Sequence, residues 1–249
     1  MGRNVIVVAH PDDEILWLSS VLADAAPVVL CFGAPYGQPQ KAKGRACAVT
    51  HLGLPKVEAL ALPESGARLL VNWKKPELTA TGIKISDVAA QQRYDANFAV
   101  LLEKLCPILA GAQNVYTHNP WGEYGHSEHI QVYRAVKTLQ ASLHFTLWFS
   151  NYAAPQTRFF AQKLGRTGLW QHKQSLPTNT VLAHRLRGVY QRYNAWTWSN
   201  WHKWPATETL YAQPCGGTEN WQNMRGEFLY NAKGLRMGRP VWTAKWRLA

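Results

Sequence analysis

The sequence predicts a three-layer α/β fold: a mostly parallel sheet with helices on both faces, and a basic, Trp-rich C-terminal extension packed on it. Three observations predict it. Short apolar, β-branched runs alternate with longer helical patterns through residues 1–150. The boundaries between them fall at Pro, Gly and Asx residues. And 249 residues with 47% apolar content can bury one full core. We expect one domain over 1–249, with residues 1–150 as the α/β core and 151–249 as the extension.

The first strand is Val5–Val8, followed by an apolar helix from about Glu14 to Asp24. Pro27 separates that helix from strand Val28–Phe32. The second helix runs from about Gln38 to Leu52 and is ended by Gly53-Leu54-Pro55, after which Val57–Leu62 is the third strand. Ile85-Ser86-Asp87 caps a long helix that reaches Leu105, with Pro107 as its stop. Strand Asn114–Thr117, a helix from about Glu128 to Leu139 and strand Leu143–Phe149 complete a Rossmann-like order. In such sheets ligands bind beyond the carboxyl ends of the strands.

No stretch approaches the roughly 18 apolar residues of a membrane span. Val5–Val8 is too short for the apolar part of a signal peptide, so none is expected. Cys31, Cys47, Cys106 and Cys215 are scattered without Cys-x-x-Cys spacing, and three of them lie in or beside apolar segments as buried free thiols do. A reducing cytoplasm is the expected home, with the inner membrane face as a peripheral site. Charge is uneven: of the formal +12, residues 1–150 carry +1 and residues 151–249 carry +11. Nine of the twelve tryptophans fall from Trp148 onward, clustered at Trp196, Trp198, Trp201 and Trp204.

Two segments carry chemistry. The first strand stops at Ala9-His10-Pro11-Asp12-Asp13-Glu14, where an imidazole and three carboxylates crowd the end of a buried strand. Clustered negative charge opposes burial, and a divalent cation would neutralise it. The second is Gly122-Glu123-Tyr124-Gly125-His126-Ser127-Glu128-His129, again after a strand. A hydrolytic zinc takes three nitrogen or oxygen ligands and keeps a fourth position for water. His10, Asp13 and His129 would supply those ligands, and iron suits the same donor set. Taken singly, each residue also has a plain structural reading: Asp12 or Asp13 as a helix cap, His126 and His129 as solvated surface histidines one helical turn apart.

Together the two segments resemble the AHPDDE and Gly-His-x-Asp/Glu-His elements of the PIG-L/LmbE family of zinc-dependent N-deacetylases, in family order. The resemblance implies removal of an acetyl group from an N-acetylglucosamine-type amino sugar. It makes Asp12 the base that takes the proton from water, His126 the donor to the developing oxyanion, and Tyr124 a mobile hydroxyl on the same oxygen. Glu14 and Glu128 then orient ligands or cap helices. Glu64-Ser65-Gly66 resembles the family's Asp-Ser-Gly-type turn, which makes Glu64 a sugar-hydroxyl ligand. Lys41 and Arg45 are the alternatives for a substrate-binding cation near the start of the second helix. His118 matches no motif position and is expected to line the pocket.

The chain departs from relatives after the first motif, where Gly-Gly is replaced by Ile15-Leu16-Trp17-Leu18-Ser19-Ser20; bulky Trp17 implies a different pocket. The basic, Trp-rich part suits an anionic, lipid-linked or nucleotide-linked sugar, an anionic membrane surface, or single-stranded nucleic acid as the weaker partner. Its tryptophans also serve as ordinary core packing. The expectation is a deacetylase of an anionic or lipid- or nucleotide-linked glycoconjugate. The alternatives are a metal hydrolase of another amide or ester, and a non-catalytic basic, aromatic binder of nucleic acid or glycan. Oligomeric state has no signature in the sequence.

Overall fold

A computed structural model describes residues 2–165, 172–213 and 215. Five parallel strands form its centre: β1 (Asn4–Val8), β2 (Val28–Ala34), β3 (Val57–Pro63), β6 (Asn114–Thr117) and β7 (Thr146–Ser150). A small antiparallel pair, β4 (Leu78–Thr79) and β5 (Gly82–Ile83), lies outside this sheet. The helices are α1 (Asp13–Trp17), α2 (Pro39–Thr50), α3 (Val88–Leu109), α4 (Ser127–Leu143), α5 (Arg158–Gly165) and α6 (Thr180–Arg192). The last strands, β8 (His172–Pro177) and β9 (Thr207–Gln213), join the same sheet. The order is β3-β2-β1-β6-β7-β9-β8, with β9 antiparallel to both neighbours.

The apolar run of β1 follows from this position, since a central parallel strand is covered on both faces. Val5 and Val7 join Val29, Cys31, Val115 and Leu147 beneath α3 and α4, where Tyr94, Leu101, Leu105 and Val136 meet them. Ile6 and Val8 face the opposite layer with Leu30 and Tyr116, against α1, Ala48 of α2, and Ala183, Leu186 and Tyr190 of α6. Burial of each large side chain contributes roughly 1.5–3 kcal/mol. From β1 the chain builds outward to β2 and β3 and then returns to β6 on the other side. That reversal leaves a crevice at the carboxyl ends of β1 and β6.

Several predicted boundaries move, each for a local reason. The first helix stops at Trp17 and does not reach Asp24. Buried Glu208 of β9 takes a hydrogen bond from Ser19 Oγ (2.8 Å) and one from Ser20 N (2.9 Å), drawing the chain out of the helix; only a 3₁₀ turn, Leu22–Asp24, remains beyond it. Helix α3 runs through Pro107 to Leu109, because a proline near the last turn removes one donor without ending the helix; Asp87 caps its start from Ala90 N, as expected. Leu143 belongs to α4, not to the following strand: His144 turns the chain at φ 58, and Gln140 Nε2 donates to Phe145 O at 2.8 Å.

Of the cysteines only Cys31 is buried; Cys47 and Cys106 are exposed, facing outward from their helices, and Cys215 is half-buried. Trp196 and Trp204 pack into the core, Trp198 is half-buried, and Trp201 is 90% exposed. Trp170, Trp221, Trp242 and Trp246 lie outside the described residues, with much of the basic excess. Among the described residues, no helix is long and apolar enough to cross a membrane.

Candidate metal centre and active site

At the end of β1 the backbone folds back on itself. His10 N donates to Asp13 Oδ2 (2.8 Å), Asp13 N donates to His10 O (3.2 Å), and Asp12 between them sits at φ 98. That left-handed conformation is uncommon outside glycine and is held only where surrounding contacts impose it. Here they do: Asp12 N donates to Glu14 Oε2 (3.1 Å), and Glu14 Oε1 accepts from Tyr190 OH on α6 (2.6 Å). Asp12 occupies the cap position of α1 but makes no side-chain capping bond. Its Oδ2 accepts instead from Thr197 N (2.8 Å) and Thr197 Oγ1 (2.6 Å). Asp13 Oδ1 accepts from the indole of Trp17 at 2.9 Å.

The second motif turns between β6 and α4. Gly122 (φ 70) needs its lack of a side chain, because a Cβ there would lie 2.6 Å from His126 O. The turn places Glu123, itself at φ 50, under two imidazoles: its Oε2 meets His118 Nδ1 at 3.1 Å and His129 Nδ1 at 2.7 Å, and its Oε1 accepts from Asn119 N at 3.0 Å. His126 is the residue before α4 and His129 lies in its first turn. Both are buried, which removes the surface-histidine reading.

Donor counting fixes the tautomers. Ala9 N–H donates to His118 Nε2 (2.8 Å), so that nitrogen presents its lone pair to the backbone and Nδ1–H faces Glu123. His118 is therefore fully engaged at the back of the cluster, 3.4 Å from Asp13 Oδ2, and does not line an outward pocket. His129 Nδ1–H likewise faces Glu123, and its Nε2 lies 3.3 Å from Asp13 Oδ2 without a hydrogen-bond partner. His10 Nδ1 lies 3.1 Å from Asp13 Oδ2, and its Nε2 is likewise buried and unpartnered. His126 Nδ1 sits 3.1 Å from Glu128 Oε2.

Charge is heavily unbalanced. Asp12, Asp13, Glu14, Glu123 and Glu128 are all buried, with Arg45 the single buried Arg or Lys among the described residues. Burial and the neighbouring Asp13 charge raise the Asp12 carboxyl to about 7 against the pull of Thr197; burial above all raises Glu14 to about 8. Burial lowers His10 to about 4 and His126 to about 3, so both are neutral imidazoles. For His129 burial favours the neutral ring, but Asp13 and Glu123 overcome it and raise it to about 10. Burial also works against ionised Asp13, yet the surrounding histidines hold it well below the usual carboxylate range. A positive charge among these groups, on His129 or on a bound cation, offsets the carboxylates that remain ionised, Asp13, Glu123 and Glu128.

Among the described residues, two overlapping sets of ligand atoms could hold a metal ion: His10, His126 and His129, and Asp13, His118 and His129. The expected set, His10, Asp13 and His129, shares two members with each. The buried Nε2 atoms of His10 and His129 make no hydrogen bond, and both rings meet the Asp13 carboxylate, His10 through Nδ1 and His129 through Nε2, a set that suits a divalent cation with nitrogen and oxygen donors. His118 fits less well, since its Nε2 lone pair already accepts from Ala9.

The substrate candidates surround this cluster. Glu64 Oε1 lies 3.4 Å from His10 Nε2 and 2.8 Å from the Arg45 guanidinium, so the two candidates are paired with each other. Lys41 is close enough to Asp12, Arg45 and Glu64 to feel their charges, and it donates to Trp196 O at 3.3 Å. Buried Trp17 touches the ring of Tyr152, and with Tyr124 and half-buried Trp198 these aromatics line a small cleft beside the cluster. Arg68 lies over the Tyr124 ring, 5.6 Å from its centroid. Sequence reasoning missed Glu123, Thr197, Tyr190 and Arg68. Glu123 carried a usable signal, a carboxylate six residues before a candidate ligand histidine; the others carried none.

Comparison with known proteins places the chain in a family. The sequence model of the PIG-L family, described as GlcNAc-PI de-N-acetylase, matches residues 5–140. The chain is 28% identical over 147 residues to N-acetylglucosaminyl-phosphatidylinositol de-N-acetylase of Bos taurus, covering 56% of this chain and 51% of that protein. It thus spans about half the length of the curated relative it matches. Among solved structures, the zinc-inhibited form of teicoplanin deacetylase Orf2 aligns at a TM-score of 0.53 with 13% identity, over 87% of this chain and 100% of that one. A deacetylase–teicoplanin complex aligns at 0.52 with 12% identity, over 87% and 100%. At such identities the likeness is one of fold.

Proposed function

Because the chain belongs to the PIG-L family, we propose that it is a metal-dependent deacetylase that hydrolyses the N-acetyl group of an N-acetylglucosamine-type sugar, releasing acetate and a free amine. The observation that carries this reading is a pair of buried imidazole nitrogens without a hydrogen-bond partner, His10 Nε2 and His129 Nε2, on two rings that both meet the Asp13 carboxylate, His10 through Nδ1 at 3.1 Å and His129 through Nε2 at 3.3 Å. These three residues would hold the ion, zinc by preference and iron as the alternative for the same donors. When bound, such an ion supplies Lewis-acid polarisation of a carbonyl and makes water a better nucleophile.

The chain's own groups supply the rest. Asp12 takes the proton from the attacking water and delivers it to the departing amine; burial and the adjacent Asp13 charge raise its affinity for that proton. His126, with Nδ1 held 3.1 Å from Glu128, would stabilise the developing oxyanion through its other nitrogen once that nitrogen carries a proton, and Tyr124, whose phenol burial keeps protonated, adds an O–H to the same oxygen. Glu123 fixes the tautomer and orientation of His129. Arg45, Glu64, Lys41 and Arg68 gather polar and cationic groups at the cluster's edge, which favours an anionic, lipid- or nucleotide-linked conjugate as substrate.

The test is metal analysis of the purified protein, coupled to an amine-release assay over free N-acetylglucosamine, its nucleotide diphosphate conjugate, a lipid-linked conjugate, and simple amides and esters. Metal-dependent amine release from a sugar is the expected result. Release from the simple amides or esters alone would overturn the sugar assignment, and activity indifferent to chelation would overturn the metal assignment.

A further inference from the structure

We propose that Thr197, in the segment between α6 and β9 and outside the residues matched by the family, positions the carboxylate of Asp12. This inference rests on the reading of Asp12 as the proton-transfer group. Both Thr197 donors fall on one oxygen: the backbone N–H at 2.8 Å and Oγ1 at 2.6 Å both reach Asp12 Oδ2. Two donors converging on a single carboxylate oxygen fix the side-chain torsions and leave Oδ1 to handle the proton.

The need for such a hold is visible in the backbone. Asp12 stands at φ 98 on a tight turn, and its own N–H is spent on Glu14. A carboxylate on such a turn, 1% exposed and next to Asp13, would be pushed by like charge toward whatever rotamer best separates the two. Thr197 opposes that drift with two charge-assisted bonds.

The segment is itself firmly held. Ala195 N and Trp196 N both donate to Tyr190 O (2.8 and 3.2 Å), Trp196 packs in the core, and Trp198 meets Trp17 edge-on at 5.5 Å. Tyr190 in turn holds Glu14. One stretch of chain, residues 190–198, therefore grips the first motif at two points, 185 residues away through Thr197 and 176 residues away through Tyr190. A group that must lie within a few tenths of an ångström of its working position loses rate steeply when released.

The experiment compares Thr197→Val, which keeps size and the backbone donor but loses Oγ1, with Thr197→Ser, which restores a hydroxyl. For Thr197→Val we expect kcat to fall on the order of 10–100-fold, with KM and bound metal within about twofold of wild type, and Thr197→Ser to recover most of the loss. A second readout is independent of turnover: amide hydrogen exchange at Thr197 should speed up about tenfold or more in Asp12→Ala, since that amide loses a charged acceptor. Wild-type kcat in Thr197→Val, a loss that Thr197→Ser does not recover, or unchanged Thr197 exchange in Asp12→Ala would each overturn the proposal. A wild-type protein that deacetylates nothing would overturn the functional reading instead, and the exchange measurement would still decide whether Thr197 holds Asp12.

Discussion

Trp17 ends the short helix that follows the first motif, and its indole N–H reaches Asp13 Oδ1 at 2.9 Å from a side chain only 1% exposed. Trp17→Phe removes that donor while keeping an aromatic ring against Tyr152 and Trp198. A hydrogen bond to a buried charged acceptor is worth about 1.5–3 kcal/mol. If the bond serves to aim Asp13, much of this energy appears as lost metal affinity, and outer partners of metal ligands typically account for 10–100-fold. We expect the dissociation constant for zinc, measured by competition with a chromophoric chelator, to rise on the order of 10–100-fold. The smaller ring also lowers apo stability by roughly 1–3 kcal/mol, so thermal unfolding of the apo protein is measured in parallel. Wild-type zinc affinity combined with the expected loss of stability would refute the argument and reduce Trp17 to packing.

Four further outcomes follow from the same geometry. His129→Ala should lose bound metal and activity together, since it removes an unpartnered nitrogen beside Asp13 and leaves Glu123 without one of its imidazoles; full metal occupancy by elemental analysis would remove His129 from the ligand set. Asp12→Asn should keep the metal and lose about 10²–10⁴-fold in turnover, so near wild-type turnover would assign the proton transfer elsewhere. KM for an anionic N-acetylglucosamine conjugate should rise with salt as exposed charges are screened beyond about 8–10 Å, while KM for a neutral conjugate stays level; equal, flat responses would refute anionic recognition. Finally, burial, with Arg187 and His184 nearby, holds the His202 imidazole down from 6.5 to about 4. The unfolded chain therefore binds that proton first: His202's contribution is whole above pH 6.5 and is lost as pH falls toward 4, about 3 kcal/mol in total. Urea midpoints for wild type and His202→Gln should converge across that window, and parallel pH profiles would count against it.

The parts of the molecule legible in the sequence are those with local causes. The parallel strands β1, β2, β3 and β6 follow from apolar runs between breakers, Asp87 declares the start of α3, and both motifs land at the carboxyl ends of β1 and β6 because strand-to-helix turns are read over a few residues. His10, Asp12, Asp13, His126 and His129 are brought together on that account. What escaped detection depends on distant chain. The end of α1 is set by Glu208, the rotamer of Asp12 by Thr197, and the Glu14 carboxyl by Tyr190, across 176–189 residues with no periodicity to betray them. His118 escaped for a different reason: a histidine that accepts a backbone N–H and one that faces a ligand look alike in a sequence.

The bonds from Ser19 and Ser20 to Glu208 also set a schedule for the molecule's birth. A ribosome adding roughly 5–20 residues per second needs on the order of 10–40 s to travel from the first motif to β9. Throughout that interval His10, Asp12 and Asp13 exist, and soon His129 with them, yet the residues that stop α1 and seat Asp12 have not been made. A nascent chain released after α4 would carry every candidate metal ligand with the first motif still unanchored. Release or stalling before β9 should therefore yield a chain that can capture metal in a poorly ordered site, with α1 not yet stopped by Glu208.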